Sequence, residues 1–327
     1  MRFPGVRLRD RHRRLTVRMD TTNICNLRCS MCPMVLSDRD PDRNWHHMDP
    51  VLFSRIEREV FPLAGTVGLS CGAEPFCNPD FGDCLARLYR ADVPVREVVT
   101  NGTLLTEGNI DSLLRTPPTT LFVSIDGARA ETHAAIRGGA DLDTVLERLS
   151  ALVERRGRSR FPMLAFSTTL QRLNLVELPD IVETAATAGA VSVGVVPLVP
   201  YAGLERSGET VDMGSQEVGD IVGRASETAD RLGITLVVST GPDATDGEGC
   251  GFLDGWVYID PDGKVFPCPH WNTSRPLGDL TGESFESIMN GDSYRELREM
   301  HRSGHLSGNC AVCPEMNPGA RGEPEKV

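Results

Sequence analysis

Short apolar, β-prone runs alternate along most of this chain with longer segments whose apolar positions recur at helical spacing. The short runs are Leu15 to Asp20, Thr66 to Ser70, Val95 to Thr100, Thr119 to Asp126, Met163 to Leu170 and Val191 to Pro197, and each predicts a strand. Between them, Asp49 to Val60, Asp80 to Tyr89, Glu107 to Arg115, Asp143 to Arg155 and Glu177 to Ala188 read as amphipathic helices, several opened by Asp or Thr in a capping position. Strands that alternate with helices form a parallel sheet with crossover connections. The expected fold is therefore α/β, a partial (β/α)6 TIM-like barrel.

After Pro197 the texture changes. Pro200 to Gly214 is a Gly-rich connection, Gln216 to Leu232 predicts a helix and Ile234 to Val238 a short strand. A second unit begins near Gly241, where Trp256 to Asp260 and Lys264 to Phe266 flank Pro261-Asp262-Gly263. That is a hairpin signal, with glycine where a positive φ is wanted. Ser284 to Met289 and Ser293 to Arg302 read as helices. The expected division is a lead-in over 1–14, the barrel over 15–240, a small β-hairpin and helix domain over 241–317, and a polar tail over 318–327.

Length and charge narrow the function. A chain of 327 residues has room for one large α/β domain and a smaller one. No apolar run approaches the roughly 18 residues needed to span a bilayer. Met1 to Arg14 is arginine-rich and lacks a hydrophobic stretch to act as a signal peptide, so no membrane partner and a cytoplasmic location are expected. The formal charge is −12 with no basic stripe beyond Arg18, which argues against a nucleic-acid partner and suits a cationic substrate. Ten cysteines in a signal-less chain point to metal ligation, since the cytosol keeps thiols reduced.

Asn23-Ile24-Cys25-Asn26-Leu27-Arg28-Cys29-Ser30-Met31-Cys32-Pro33 sets three thiols on one loop directly after the first strand. Thiolates are soft ligands suited to iron–sulfur iron, and three of them on a four-iron cubane leave one iron open to a second molecule. Two plainer readings compete: a structural zinc loop and a ferredoxin-like site with four cysteines. Zinc takes four ligands in paired knuckles, and the nearest further candidates, His46 and His47, do not have that spacing.

The Cys-x3-Cys-x2-Cys loop resembles that of the radical S-adenosylmethionine (SAM) superfamily. The resemblance implies that Cys25, Cys29 and Cys32 hold a [4Fe-4S] cluster whose open iron chelates the methionyl amino and carboxylate groups of SAM. It implies further that reduction of SAM yields a 5′-deoxyadenosyl radical, which abstracts a substrate hydrogen, and that Met31 lies against the adenine. Gly72-Ala73-Glu74-Pro75 resembles the family's Gly-Gly-Glu-Pro, whose backbone and glutamate hold the methionyl ammonium, with Ala73 standing where the family keeps glycine. Thr100-Asn101-Gly102 and Ser124-Ile125-Asp126-Gly127 resemble strand ends that face SAM, which implies cofactor contacts for Asn101, Ser124 and Asp126. Asn-Gly and Asp-Gly are also ordinary turns.

In the second unit Cys250 is followed at Cys-x12-Gly-x4-Cys spacing by Gly263 and Cys268, and later by Cys310-Ala311-Val312-Cys313. Four cysteines so placed suit a structural zinc or an iron–sulfur cluster. Joined to the first loop, and with Trp256 to Gly263 and Leu277 to Leu280 around them, they resemble the auxiliary-cluster region of radical SAM enzymes with a twitch or SPASM domain. A full SPASM domain needs further cysteines, and none follows Cys313 in the sequence. One auxiliary [4Fe-4S] cluster, the twitch arrangement, is therefore expected, serving to accept an electron from substrate.

Cys71, Cys77 and Cys84 are expected to pack as small hydrophobes. With only Met1 to Ile24 before Cys25, no leader-peptide recognition domain is expected. Size and single auxiliary site resemble twitch-domain dehydrogenases and epimerases of aminocyclitol and aminoglycoside biosynthesis. That implies a small carbohydrate-like substrate, antibiotic-type biosynthesis and a flavodoxin or ferredoxin-type reductant. No cysteine falls between Cys84 and Cys250, so no thiol stands at the ends of strands four to six to return hydrogen in an epimerisation. Oxidation of a carbinol to a ketone is favoured, with Cys71 or Cys77 as the thiol an epimerase would use. Arg172 after strand five and His270 beside Cys268 are candidate bases or substrate contacts. Their plainer roles are pairing with a carboxylate and covering the cluster. A peptide-modifying radical SAM enzyme and a non-catalytic iron–sulfur carrier are the alternatives.

Overall fold

The computed structural model describes residues 15–32, 44–198, 208–239, 250, 252–253, 255–268, 275–306 and 310. Six parallel strands form where the apolar runs predict them: β1 (Leu15–Met19), β2 (Ala64–Gly68), β3 (Val95–Thr100), β4 (Thr120–Ser124), β5 (Met163–Leu170) and β6 (Ser192–Pro197). The connecting helices are α1 (Pro50–Glu59), α2 (Phe81–Arg90), α3 (Glu107–Arg115), α4 (Ala130–Ile136), α5 (Leu142–Arg156) and α6 (Leu178–Thr187). Caps set several of their starts: Asp49 accepts from the Val51 amide, Thr106 from Asn109, and Asp141 from Asp143 and Thr144. The seven residues of α4 are too short for a clear period, and the sequence reading missed that helix.

The parallel sheet is wider than six strands. On one side α7 (Gln216–Leu232) returns the chain to β7 (Thr235–Val238), which pairs parallel with β6. On the other, β8 (Trp256–Ile259) pairs parallel with β1 and turns antiparallel into β9 (Lys264–Phe266) and β10 (Gly278–Asp279). The strand order is β10-β9-β8-β1-β2-β3-β4-β5-β6-β7, so the C-terminal hairpin continues the barrel sheet. Gly263 makes the hairpin turn at φ +84°, and Asp260 Oδ1 accepts the Asp262 and Lys264 amides at 3.0 and 2.8 Å. Two helices, α8 (Phe285–Met289) and α9 (Asp292–Arg302), follow. Among the described residues no helix is long and apolar enough to cross a membrane.

Alternation along the strands separates two faces. Val17, Val67, Leu121, Val123, Leu164, Phe166, Leu170, Val193 and Val195 join Leu149, Ile181 and Val182 of the helices in one buried core. The opposite face carries polar side chains: Arg18 pairs with Glu97 at 2.6 Å, and Ser124 stands beside Ser167 in register. That face is the barrel interior, and its C-terminal rim is where ligands gather in parallel α/β folds.

Candidate active site at the strand ends

The three-cysteine loop leaves β1 through Asp20 and is pinned on two sides. Thr22 Oγ1 donates to the His46 carbonyl at 3.1 Å and accepts the Ile24 amide at 3.1 Å, while Asn23 Oδ1 accepts the His46 amide at 2.8 Å. Across the loop, the Ser30 amide donates to the Ile136 carbonyl at 2.9 Å. Behind it Gly138, at φ +62°, lies where an added Cβ would come within 2.5 Å of the Arg28 carbonyl oxygen. Gly138→Ala is thus expected to cost at least about 1–2 kcal/mol in the left-handed backbone alone and to push the cysteine loop outward. Thermal unfolding together with iron content after reconstitution checks this, and unchanged values in both would contradict it.

Of the three thiols, Cys29 is buried and Cys25 and Cys32 are half-buried. Burial pushes the Cys25 and Cys29 thiols up, so both keep their protons until a thiophilic metal displaces them. Cys29 and Met31 pack with Ile136 and Leu198 as a small apolar cluster, with Leu27 and Cys32 against it. Thiols carried on one loop against an apolar wall are donors of the kind an iron–sulfur cluster takes.

Glu74 is a buried carboxylate beside this loop. Thr100 Oγ1 donates to its Oε1 at 2.7 Å, the Asn101 amide to Oε2 at 2.8 Å, and its own amide donates to Ile24. Burial pushes its pKa up to about 7 despite those bonds. Ala73 needs no positive φ here, which accounts for alanine where the family keeps glycine. The loop is held from below by Asp20, whose carboxylate accepts the Cys71 amide at 2.7 Å, the Gly72 amide at 2.9 Å and the Tyr258 hydroxyl at 2.8 Å. Burial raises the Asp20 pKa and that of Tyr258. Sequence reading found neither residue in this role, because their contact spans 238 positions.

The other rim residues have definite partners. Asn101 Nδ2 donates to Asn26 on the cysteine loop at 2.9 Å, which gives it a bridging role beyond an ordinary turn. Ser124 is buried at the end of β4. Asp126, fully buried, accepts the Thr169 amide at 2.7 Å and the Arg137 Nε at 2.5 Å. Arg137 in turn reaches to 4.0 Å from Cys29 Sγ. Burial opposes the Arg137 charge, but Asp126 holds its pKa above the usual value. Asp126, expected at the cofactor, is therefore ion-paired with an arginine that flanks Cys29. The sequence signal for Arg137 was the Arg-Gly-Gly following α4.

Spare thiols and candidate bases separate cleanly. Cys84 packs in the core as expected, Cys77 is half-buried within electrostatic reach of Glu74 and Cys25, and Cys71 is exposed. Arg172 is exposed at the rim, with its amide donating to the Glu209 carbonyl at 2.9 Å. His270 and Cys313 lie outside the described residues, as do Met1 to Arg14 and the tail. Cys250 and Cys268 flank the hairpin, and His301 Nε2 of α9 lies 3.3 Å from Cys310 Sγ. Cys268 is within electrostatic reach of Cys71, the residue that precedes Gly72. The C-terminal hairpin thus meets the Gly72 loop across the β8–β1–β2 portion of the sheet, through Tyr258 and Asp20.

The radical SAM superfamily model matches residues 19–185, about half the chain. The chain belongs to the radical SAM superfamily. An iron–sulfur cluster-binding domain of the SPASM type matches residues 250–314 of this radical SAM chain. SAM with its [4Fe-4S] cluster, and auxiliary iron–sulfur chemistry in the C-terminal unit, follow from those two matches. The AdoMet-dependent heme synthase of Methanosarcina barkeri is 29% identical over 317 residues, covering 88% of this chain and 85% of that protein. Mycofactocin maturase MftC of Mycobacterium tuberculosis is 26% identical over 307 residues, covering 89% and 74%. Among solved structures, Streptococcus suis SuiB bound to S-adenosylmethionine superposes with a TM-score of 0.74 at 13% identity, covering 88% of this chain and 68% of its own. BtrN in complex with AdoMet and 2-DOIA superposes at 0.53 and 14% identity, covering 89% and 87%. Both show the radical SAM barrel fold. Radical SAM enzymes act on small-molecule or peptide substrates and draw on a reductant.

Proposed function

We propose that this radical SAM chain is a cytoplasmic oxidoreductase that converts a carbinol of a carbohydrate-like substrate, of aminocyclitol or aminoglycoside type, to a ketone in natural-product biosynthesis. Bound SAM and its cluster supply the hydrogen-abstracting 5′-deoxyadenosyl radical. Cys25, Cys29 and Cys32 hold that cluster, Glu74 accepts from the methionyl ammonium, Gly72, Ala73 and Met31 line SAM, and Asn101 and Ser124 close its pocket. Asp126 acts through Arg137. Cys250, Cys268, Cys310 and Cys313 hold one auxiliary cluster, and a flavodoxin or ferredoxin-type protein is the reductant.

The observation that supports oxidation is the joint between the C-terminal hairpin and the Gly72 loop. Tyr258 of β8 bonds Asp20, Asp20 holds the Gly72 loop, and Cys268 stands within reach of Cys71. An auxiliary cluster on that unit would balance the step: the 5′-deoxyadenosyl radical would take the hydrogen atom from carbon, a base such as His270 the hydroxyl proton, and the cluster the remaining electron. Arg172 serves as a substrate contact, since a guanidinium keeps its proton and is a poor base.

Anaerobic turnover of an aminocyclitol deuterated at the reacting carbon tests the reading. Deuterium should appear in 5′-deoxyadenosine and the product should be two hydrogens lighter. An unchanged mass with solvent deuterium taken up would mean epimerisation through an exposed thiol such as Cys71. A second reading, peptide modification, is favoured by the similarity to a maturase, MftC, and would win if a short precursor peptide alone were modified.

Glu74 gives this proposal a pH signature. Because burial raises its pKa to about 7, it takes up a proton as the pH falls through that value and loses the charge that would hold an ammonium. SAM is therefore expected to bind about tenfold more tightly at about pH 8 than at about pH 6, in proportion to the ionised fraction of Glu74. Calorimetric titration of wild type beside Glu74→Gln measures the difference between their pH profiles. Parallel profiles would remove Glu74 from the ammonium site.

A further inference from the structure

Gln171, the first residue after β5, is fully buried, and neither its side-chain oxygen nor its side-chain nitrogen has a hydrogen-bond partner. An unpaired buried carboxamide is costly, and proteins keep few of them. Its backbone, by contrast, is fixed. The Gln171 amide donates to Asn174 Oδ1 at 2.8 Å, and Asn174 Nδ2 donates to the Asp126 and Thr169 carbonyls, each at 2.9 Å. Thr169 and Arg137 both bond the Asp126 carboxylate, and Arg137 flanks Cys29. Gln171 is therefore tied by a short polar network to the cysteine loop.

The strand pattern says which side of the sheet it belongs to. Leu164, Phe166 and Leu170 of β5 join the core beneath the helices, while Ser167 stands in register with Ser124 on the barrel-interior face. Gln171 continues the Ser167, Thr169 alternation at the C-terminal rim, where ligands of parallel sheets bind.

We propose that Gln171 is a substrate-binding residue whose carboxamide engages a group presenting a donor and an acceptor side by side, as a vicinal amino alcohol does. The proposal rests on the oxidoreductase reading above and adds a specificity residue to it. Its unpaired state is what a site built for a polar substrate shows before that substrate arrives.

The test uses the reconstituted holoenzyme, wild type beside Gln171→Met, with 2-deoxystreptamine as the probe. Methionine removes the unpaired polar group at similar volume, so the melting temperature without probe should rise by about 2 °C or more. The ratio of probe-stimulated to probe-free 5′-deoxyadenosine formation should fall about tenfold. A lower melting temperature would make Gln171 a structural residue and overturn the proposal. So would an equal loss of both rates, which would assign it to SAM binding. If 2-deoxystreptamine fails to stimulate the wild type, the carbohydrate-like substrate falls instead, and the direction of the melting shift still decides Gln171.

Discussion

Replacing Cys25, Cys29 or Cys32 with alanine is expected to reduce 5′-deoxyadenosine formation from SAM to background, while Cys268→Ala retains part of it and loses product. In the first set each thiol would serve a separate iron, and the Thr22, Asn23 and Ser30 hydrogen bonds pin the loop that carries all three at the end of β1. Cys29 should be the least forgiving. It is 7% exposed, packed against Met31 and Ile136, and is the thiol that Arg137 flanks. Iron, sulfide and 5′-deoxyadenosine measured on anaerobically reconstituted variants decide the matter. A variant of any of the three that keeps full iron and full cleavage would sink the assignment. Equal loss of cleavage in Cys268→Ala would show that the second cysteine set supports the first site and has no separate role.

Arg137→Met should be the most destabilising single change away from the cysteines. Asp126 is 0% exposed and its partner 13%, so truncating the arginine strands a carboxylate where water does not reach. Breaking a buried pair from one side costs about 3–5 kcal/mol. Arg155→Met, which unpairs the exposed Asp111, should cost no more than about 1 kcal/mol. Chemical unfolding of both variants, with Asp126→Asn/Arg137→Met as the closing corner of a double-mutant cycle, measures the coupling. The double variant should recover a large part of the loss. Additive losses would mean that the two side chains are energetically independent.

The contiguous features were legible in the sequence. Cys25 to Cys32 and Gly72 to Pro75 carry their chemistry within a few residues, and the six predicted strands depend on local composition. The partners of those motifs were not legible, because the contacts that make them work are long-range. Nothing near Asp20 in sequence marks it as the support of the Gly72 loop, since one of its partners is Tyr258. Asp126 is expected at the cofactor from its place at a strand end, while the arginine that pairs with it follows a helix too short to show a period. Cys71 read as packing because buried free thiols are common, whereas it stands exposed. Gln171 was invisible for a different reason: what distinguishes it is a missing partner, which only three dimensions reveal.

The parallel pairing of β8 with β1 also sets the order in which this chain can be made. The strand bearing the first cysteine loop emerges early from a ribosome, yet its second neighbour, joined through Tyr258 and Asp20, comes 238 residues later. Until then β1 has an open edge, and closing it is a non-local step of the slow kind. The sheet around the radical-forming end is therefore incomplete until β8, near the far end of the chain, has been translated.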